Sequence, residues 1–111
     1  MITIDKLNKF GVDTSDALAR LMNNEELYLK LINKFILDDS FNKLKDAINF
    51  KNLKDAFYLS HALKGVVGNL SITPLYEIIN ELTEHLRNNE NIDYSIMISR
   101  YELLFNKLKT L

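Results

Sequence analysis

The sequence contains one cluster of residues with recognisable chemistry. His61, Lys64, Gly65 and Gly68 lie within eight residues of a predicted helix and, at about 100° per residue, share one side of it. A neutral imidazole is a nucleophile at pH 7, and a lysine three residues further along can balance the charge of a phosphoryl group on that ring. The glycines remove side-chain bulk from the same side, which leaves room for another protein's active site. The cluster predicts a histidine that is loaded and unloaded by partners.

Less specific interpretations of these residues stay open. A lone helix histidine is commonly an ordinary surface residue, and two helix glycines can serve a close helix crossing. Gly65 to Gly68 also fits the GXXG string of KH-type RNA binders, but that module needs strands, and none is predicted. His85 is expected at the surface, and a metal site shared by His61 and His85 lacks a third ligand. No GxxxxGK[ST] loop is present to bind ATP.

Length and composition limit the class of protein. The 111 residues predict a single domain over 1–111. The formal charge of −1 gives no general attraction to nucleic acid, and the absence of cysteine excludes disulfides and thiolate chemistry. No apolar run is long enough to span a membrane, and no signal-peptide pattern opens the chain. We therefore expect a cytoplasmic protein without membrane insertion or nucleic-acid binding.

The apolar residues recur at spacings of three and four, and glycine and proline are scarce, which predicts an all-α chain. After a short N-terminal helix or arm, the Asp13 to Asp16 and Asn23-Asn24 segments supply capping residues. One helix is predicted from Glu25 to Leu37, with an apolar face of Leu27, Leu31, Ile32 and Phe35. Further helices are predicted around Phe41 to Ile48, from Asn52 to Leu70, after a Thr73 cap with Pro74 at the first helical position, and after Asp93.

These elements predict an antiparallel bundle. The last helix carries a seam that fits a bundle groove, formed by Tyr94, Met97, Tyr101, Leu104, Leu108 and Leu111. A coiled-coil dimer is the alternative use of this seam, although it has fewer than three heptads.

A helical wheel of the central helix separates its core from its open side. The apolar arc consists of Leu53, Ala56, Leu59, Leu63, Val66, Val67 and Leu70. His61 lies opposite this arc, with Lys54, Gly65 and Gly68 on its side. Phe57, Tyr58 and Ala62 flank the histidine and predict an apolar docking patch. Core packing is the rival interpretation for Phe57.

The segment His61-Ala62-Leu63-Lys64-Gly65 resembles the H-x-[LI]-K-G core of histidine-containing phosphotransfer (HPt) domains of two-component signalling. The approach Asn52 to Ala56 and the opening Asn24-Glu25-Glu26-Leu27 are also similar, and the likeness covers residues 10–110. Two positions depart from the family pattern. Val66 replaces a small residue and is expected to pack in the core, and Ser71 replaces a glycine at the helix end.

The resemblance implies an antiparallel up-and-down four-helix bundle with a short extra N-terminal helix. It also implies that His61 accepts a phosphoryl group from a receiver-domain aspartyl phosphate and passes it to another receiver. Lys64 would then assist near the phosphate, Gly65 would leave room for it, and the receiver would supply Mg²⁺.

We thus expect a monomeric phosphocarrier rather than an enzyme, without a cofactor or metal of its own. Its expected partners are response-regulator receiver domains and a hybrid sensor histidine kinase, which would dock on Lys54, Phe57, Tyr58, Ala62 and Gly68. The rival is a helical adaptor or dimerisation module whose histidine carries no phosphate.

Overall fold

The computed structural model describes residues 1–111 and confirms that the chain is all-α. No β-strand is present. The seven helices are α1 (Ile4–Phe10), α2 (Thr14–Arg20), α3 (Glu25–Leu37), α4 (Ser40–Asn49), α5 (Leu53–Asn69), α6 (Thr73–Arg87) and α7 (Ser95–Lys109). None of them has the length and apolar character needed to cross a bilayer.

Side chains in the predicted capping segments cap the N-termini of several helices. The Asn24 side chain accepts a hydrogen bond from the backbone N–H of Leu27 at 3.0 Å, and the Asn52 side chain accepts one from Asp55 at 3.3 Å. Each bond satisfies one of the backbone donors that a helix leaves free in its first turn. These two starts agree with the predicted boundaries of α3 and α5.

The start of α6 differs from the prediction. Thr73 is already the first helical residue, Ile72 occupies the capping position, and no side chain caps the helix. The Thr73 hydroxyl instead donates to the Ser71 carbonyl at 3.4 Å. Pro74 fits within the first turn because a proline there removes only an N–H that has no helical partner.

Helix pairing around α5 and α7 organises the fold. α5 packs against both α4 and α6, α6 packs against α7, and α7 contacts α3. α3 and α4 follow each other with only Asp38 and Asp39 between them. The two short N-terminal helices contact each other, and α2 also reaches α3. The result is an elongated globule with principal extents of 41 × 24 × 19 Å.

An aromatic cluster connects α3, α4 and α7 inside the core. The Phe41 and Tyr101 ring centroids lie 4.6 Å apart, and those of Phe35 and Phe105 lie 5.3 Å apart. All four side chains are buried. Aromatic pairs at these separations stabilise a core beyond the area that they bury, by about 0.5–1.5 kcal/mol each. The cluster joins the first half of the chain to the last helix.

The buried faces of α3 and α7 differ in detail from the predicted ones. On α3, Leu27 remains 39% exposed, whereas Tyr28 is fully buried. The Tyr28 hydroxyl donates to the carbonyl of Leu70 at 2.7 Å, so its polar end is satisfied inside the core. On α7, Phe105 is buried and Leu104 is only partly buried, because the aromatic cluster selects Phe105.

A charged network from α2 holds the C-terminal end of α5. The Arg20 guanidinium donates to the carbonyls of Gly68 at 3.1 Å and Asn69 at 2.9 Å, and to the Ser71 hydroxyl at 2.6 Å. Asp16 accepts from both Arg20 at 3.0 Å and Ser71 at 2.7 Å. Arg20 thus occupies carbonyls that have no partner within the helix, where a cation is also favoured by the helix dipole.

Ser71 adopts the left-handed conformation that a glycine would favour at this position, with a φ of 55°. Its hydroxyl is committed to Asp16 and Arg20. The departure from the glycine of the resembled family therefore leaves the end of α5 intact, because side-chain hydrogen bonds offset the backbone strain.

Two fully buried tyrosines provide a matched test of the core. The Tyr28 hydroxyl is hydrogen-bonded, whereas the Tyr101 hydroxyl has no partner in the protein. We expect Tyr101→Phe to raise the free energy of unfolding by about 1 kcal/mol and Tyr28→Phe to lower it by about 1–2 kcal/mol. Urea unfolding of both variants measures the difference. Equal effects of the two substitutions would contradict this description of the core.

Candidate functional site

The burial of one strip of α5 determines which side chains face outward. The buried residues follow spacings of four, three and four, at Ala56, Ser60, Leu63 and Val67. His61 lies outside this strip and is exposed, as the helical wheel predicted. Ala62 and Gly65 are exposed on the same helix.

Ser60 replaces Val66 in the buried strip, which corrects the prediction that Val66 packs in the core. Val66 is 45% exposed, whereas Ser60 is fully buried. The Ser60 hydroxyl is hydrogen-bonded to that of Thr83 on α6, and Thr83 donates to the Ile79 carbonyl at 2.6 Å. A polar residue is tolerated in the strip because its hydroxyl is satisfied. No apolar pattern signals such a pair.

The imidazole of His61 belongs to a stack of flat groups. Its centroid lies 5.8 Å from that of the Phe57 ring, with an angle of 23° between the two planes. The Arg87 guanidinium lies 5.0 Å from the centroid of the same phenyl ring. Phe57 is partly buried, so both interpretations of it apply: it packs on the bundle and supports the histidine. Arg87 comes from α6 and was not singled out in the sequence.

Lys64 lies beside the histidine and has one anionic neighbour. Its side chain is 23% exposed, and its Nζ lies 3.9 Å from Oε1 of Glu84 on α6. Glu84 also contacts Nε of Arg87 at 3.3 Å. A single carboxylate therefore lies near two cations on the side of the fold that carries His61. The sequence did not reveal Glu84, because only the packing of α5 on α6 places it here.

The predicted cluster lines a shallow depression of about 260 Å³. Its walls are His61, Lys64, Gly65, Gly68, Asn69 and Tyr76. The four residues that the sequence grouped by helical spacing thus share one surface. Tyr76 and Asn69 are additions that the sequence analysis missed.

The two glycines have different surroundings. A Cβ atom at Gly65 would meet no atom within 4 Å, so nothing in the fold requires a glycine there. A Cβ atom at Gly68 would lie 3.2 Å from Cε2 of Tyr76, which is tighter than ordinary contact. Gly68 therefore permits the close packing of α5 on Tyr76, the helix-crossing role that the sequence left as an alternative.

The other predicted docking residues form an adjoining surface. Tyr58 is 59% exposed, Lys54 is exposed, and the Tyr58 ring meets that of Phe57 edge-on at 5.5 Å. These three residues help to line a groove of about 330 Å³ beside Arg87 and Leu86. An apolar ring among cations is suited to a transient contact with an acidic protein face.

His85 lies apart from this cluster and is partly buried rather than fully exposed. Its Nδ1 contacts the carboxylate of Glu90, and its Nε2 lies 3.7 Å from Oε1 of Glu81. The hydrogen bond that the imidazole donates to the Glu90 carboxylate is the main cause that raises the pKa of His85 above its ordinary value. The Tyr94 hydroxyl donates to the Glu90 carbonyl at 2.7 Å, so these contacts tie the α6–α7 turn together.

No group of three or more His, Asp and Glu side chains converges on a point where a metal ion would bind. His85 is committed to the two carboxylates beside it. The geometry therefore gives no support to a metal site shared by His61 and His85.

Comparisons with protein-family models, with curated proteins and with solved structures yield no match. Any inference about function thus depends on the residues and their geometry. An exposed imidazole beside an ammonium group, with open space over Gly65, is chemically suited to carry a phosphoryl group.

The His85 contacts predict a pH-dependent stability. Because the pKa of His85 is raised in the folded state, its contribution is fully present below the unfolded pKa of about 6.5 and is lost as pH rises through the folded-state pKa. We expect His85→Gln to remove this dependence.

Urea unfolding between about pH 5.5 and 8.5 tests the expectation, with wild type and His85→Gln compared at each pH. His61 is present in both proteins, so its contribution cancels. The carboxyls of Asp16, Asp38 and Asp93 have pKa values below 3.8 and titrate outside this window. Parallel stability curves for the two proteins would contradict the assignment.

Proposed function

We propose that this chain is a histidine phosphocarrier of the HPt type in a multistep two-component phosphorelay. A nitrogen of the His61 imidazole would attack the phosphorus of a receiver's aspartyl phosphate. The N–P bond forms as the bond from phosphorus to the carboxylate oxygen breaks, and the reverse step on a second receiver completes the relay. The observation that carries the proposal is the exposed His61 imidazole, which shares one open surface with Lys64 and Gly65.

The helix arrangement supports this proposal. We infer an antiparallel up-and-down four-helix bundle in which α3 and α4 together form the first arm and α5, α6 and α7 form the others. Contacts run from α4 to α5, from α5 to α6 and from α6 to α7. The Phe41–Tyr101 contact closes the ring between α4 and α7. α1 and α2 are then the N-terminal addition, two short helices where one was expected.

The residues around His61 fit a partner that brings its own catalytic groups. The receiver would supply Mg²⁺ and the aspartate, while this chain supplies the nucleophile and the Lys64 charge. The chain thus acts as a modified carrier rather than as an enzyme. Lys54, Phe57, Tyr58 and Ala62 would form the contact surface for receivers and for a hybrid sensor histidine kinase, with Gly68 at its edge. We propose that the chain acts as a monomer in the cytoplasm.

The rival function is a helical adaptor or dimerisation module. Exposed apolar side chains on another part of the bundle favour it, since Ile96 is 64% and Leu103 is 59% exposed on α7. The two residues are seven positions apart, so they lie on one side of the helix. This surface has no need of the histidine, the lysine or the open space at Gly65.

Phosphoryl transfer from a receiver domain phosphorylated in the presence of Mg²⁺ tests the proposal. We expect the wild-type chain to acquire an acid-labile, alkali-stable label and His61→Gln to acquire none, because the His61 imidazole is the proposed acceptor. Circular dichroism of the variant should match that of wild type, since His61 is exposed.

His85→Gln serves as the matched control for the label, because it also replaces a histidine by glutamine but lies outside the proposed site. It should be labelled like wild type. Failure of a broad panel of receivers to label the folded wild-type chain would favour the adaptor. Equal labelling of wild type and His61→Gln would contradict the assignment of His61 as the acceptor.

A further inference from the structure

Glu84 lies where it affects the cation that the phosphoryl group would need. Its carboxylate is 3.9 Å from Nζ of Lys64 and 3.3 Å from Nε of Arg87. Arg87 in turn stacks on Phe57, which stacks on His61. One carboxylate of α6 thus lies close to both Lys64 and Arg87.

A phosphoryl group on His61 would bring a second, stronger anion to the same surface. A protein phosphate carries a charge of about −1.5 to −2 at pH 7, against −1 for a carboxylate. The Lys64 ammonium is a compact charge on a partly buried stem, so it cannot pair fully with both anions at once. The contact with Glu84 is half-exposed and therefore weak enough to be exchanged.

We propose that Glu84 is a positioning residue that pairs with Lys64 in the unmodified chain. When His61 is phosphorylated, Lys64 would leave Glu84 and pair with the phosphoryl group. This inference rests on the proposed phosphocarrier function. It means that Glu84 and the phosphoryl group compete for the Lys64 ammonium. Glu84 weakens the electrostatic stabilisation of the phosphoryl group by Lys64, which makes transfer from the phosphohistidine easier. Its neutralisation should leave Lys64 free and strengthen the pairing with phosphate.

The test uses chemical phosphorylation, so that it needs no receiver domain. Phosphoramidate donates a phosphoryl group to histidine: the imidazole nitrogen attacks phosphorus, the P–N bond of the donor breaks, and ammonia leaves. The His61→Gln variant identifies the ³¹P resonance of phosphorylated His61 by its absence. A ³¹P NMR titration of that resonance then measures the second ionisation of the phosphoryl group, which a nearby cation favours.

We expect Glu84→Gln to raise the ionisation constant of the phosphoryl group about two- to fivefold, the range typical of a half-exposed ion pair. Glu77→Gln is the matched control, because Glu77 lies on the same helix and is exposed. It should change the constant much less.

A double-mutant cycle separates competition for Lys64 from simple repulsion between Glu84 and the phosphate. If Glu84 acts through Lys64, Glu84→Gln should lose most of its effect in a Lys64→Gln background. In wild type, the ¹³C resonance of the Glu84 carboxylate should also shift when His61 is phosphorylated.

Equal effects of Glu84→Gln and Glu77→Gln would overturn the inference, as would a Glu84 effect that persists in full without Lys64. Either result would overturn only the role of Glu84, because phosphoryl transfer from a receiver would still support the proposed function. Conversely, if no receiver labels the chain but the Glu84 effect still depends on Lys64, the result would favour the adaptor as the function and would still support the competition for Lys64.

Discussion

The rotation of α5 about its axis is the constraint on which the rest of the structure depends. Burial of Ala56, Leu63 and Val67 fixes this rotation, and the hydrogen bond between Ser60 and Thr83 locks α5 against α6. His61 follows Ser60 directly in the chain, so the locked residue determines where the imidazole emerges. A helix turned by one residue would carry the histidine about 100° around the axis and away from the side on which it now lies.

Helices α2 and α3 hold the C-terminal end of α5. Arg20 donates to the last carbonyls of α5 and to the Ser71 hydroxyl, and that hydroxyl donates to Asp16. Tyr28 donates to the Leu70 carbonyl. These contacts fix the end of a helix whose last turns contain two glycines and would otherwise fray. The exposed site is therefore held between a buried strip and a capped end, and neither of them takes part in its chemistry.

Single-helix features of the structure could be predicted from the sequence, whereas features that depend on two helices could not. The sequence predicted the limits of α3 and, to within one residue at each end, those of α5, and the helical wheel placed His61 on the open side. Helical spacing does not reveal that Ser60 finds a buried partner, so Val66 was wrongly assigned to the core. It also cannot show which side chains of α6 face α5, so Glu84 and Arg87 were missed.

We propose that α5 keeps its outward side open for a partner at the expense of helix stability. Replacing Gly65 by glutamine tests this proposal most directly. A side chain at this position meets no other atom within 4 Å at its Cβ, and the glycine destabilises the helix by about 0.5–1 kcal/mol relative to alanine. Unfolding free energy and the rate of phosphoryl transfer from a receiver are measured on the same protein. We expect the variant to be more stable and to accept the phosphoryl group far more slowly than wild type. A stabilised chain with wild-type transfer would contradict it.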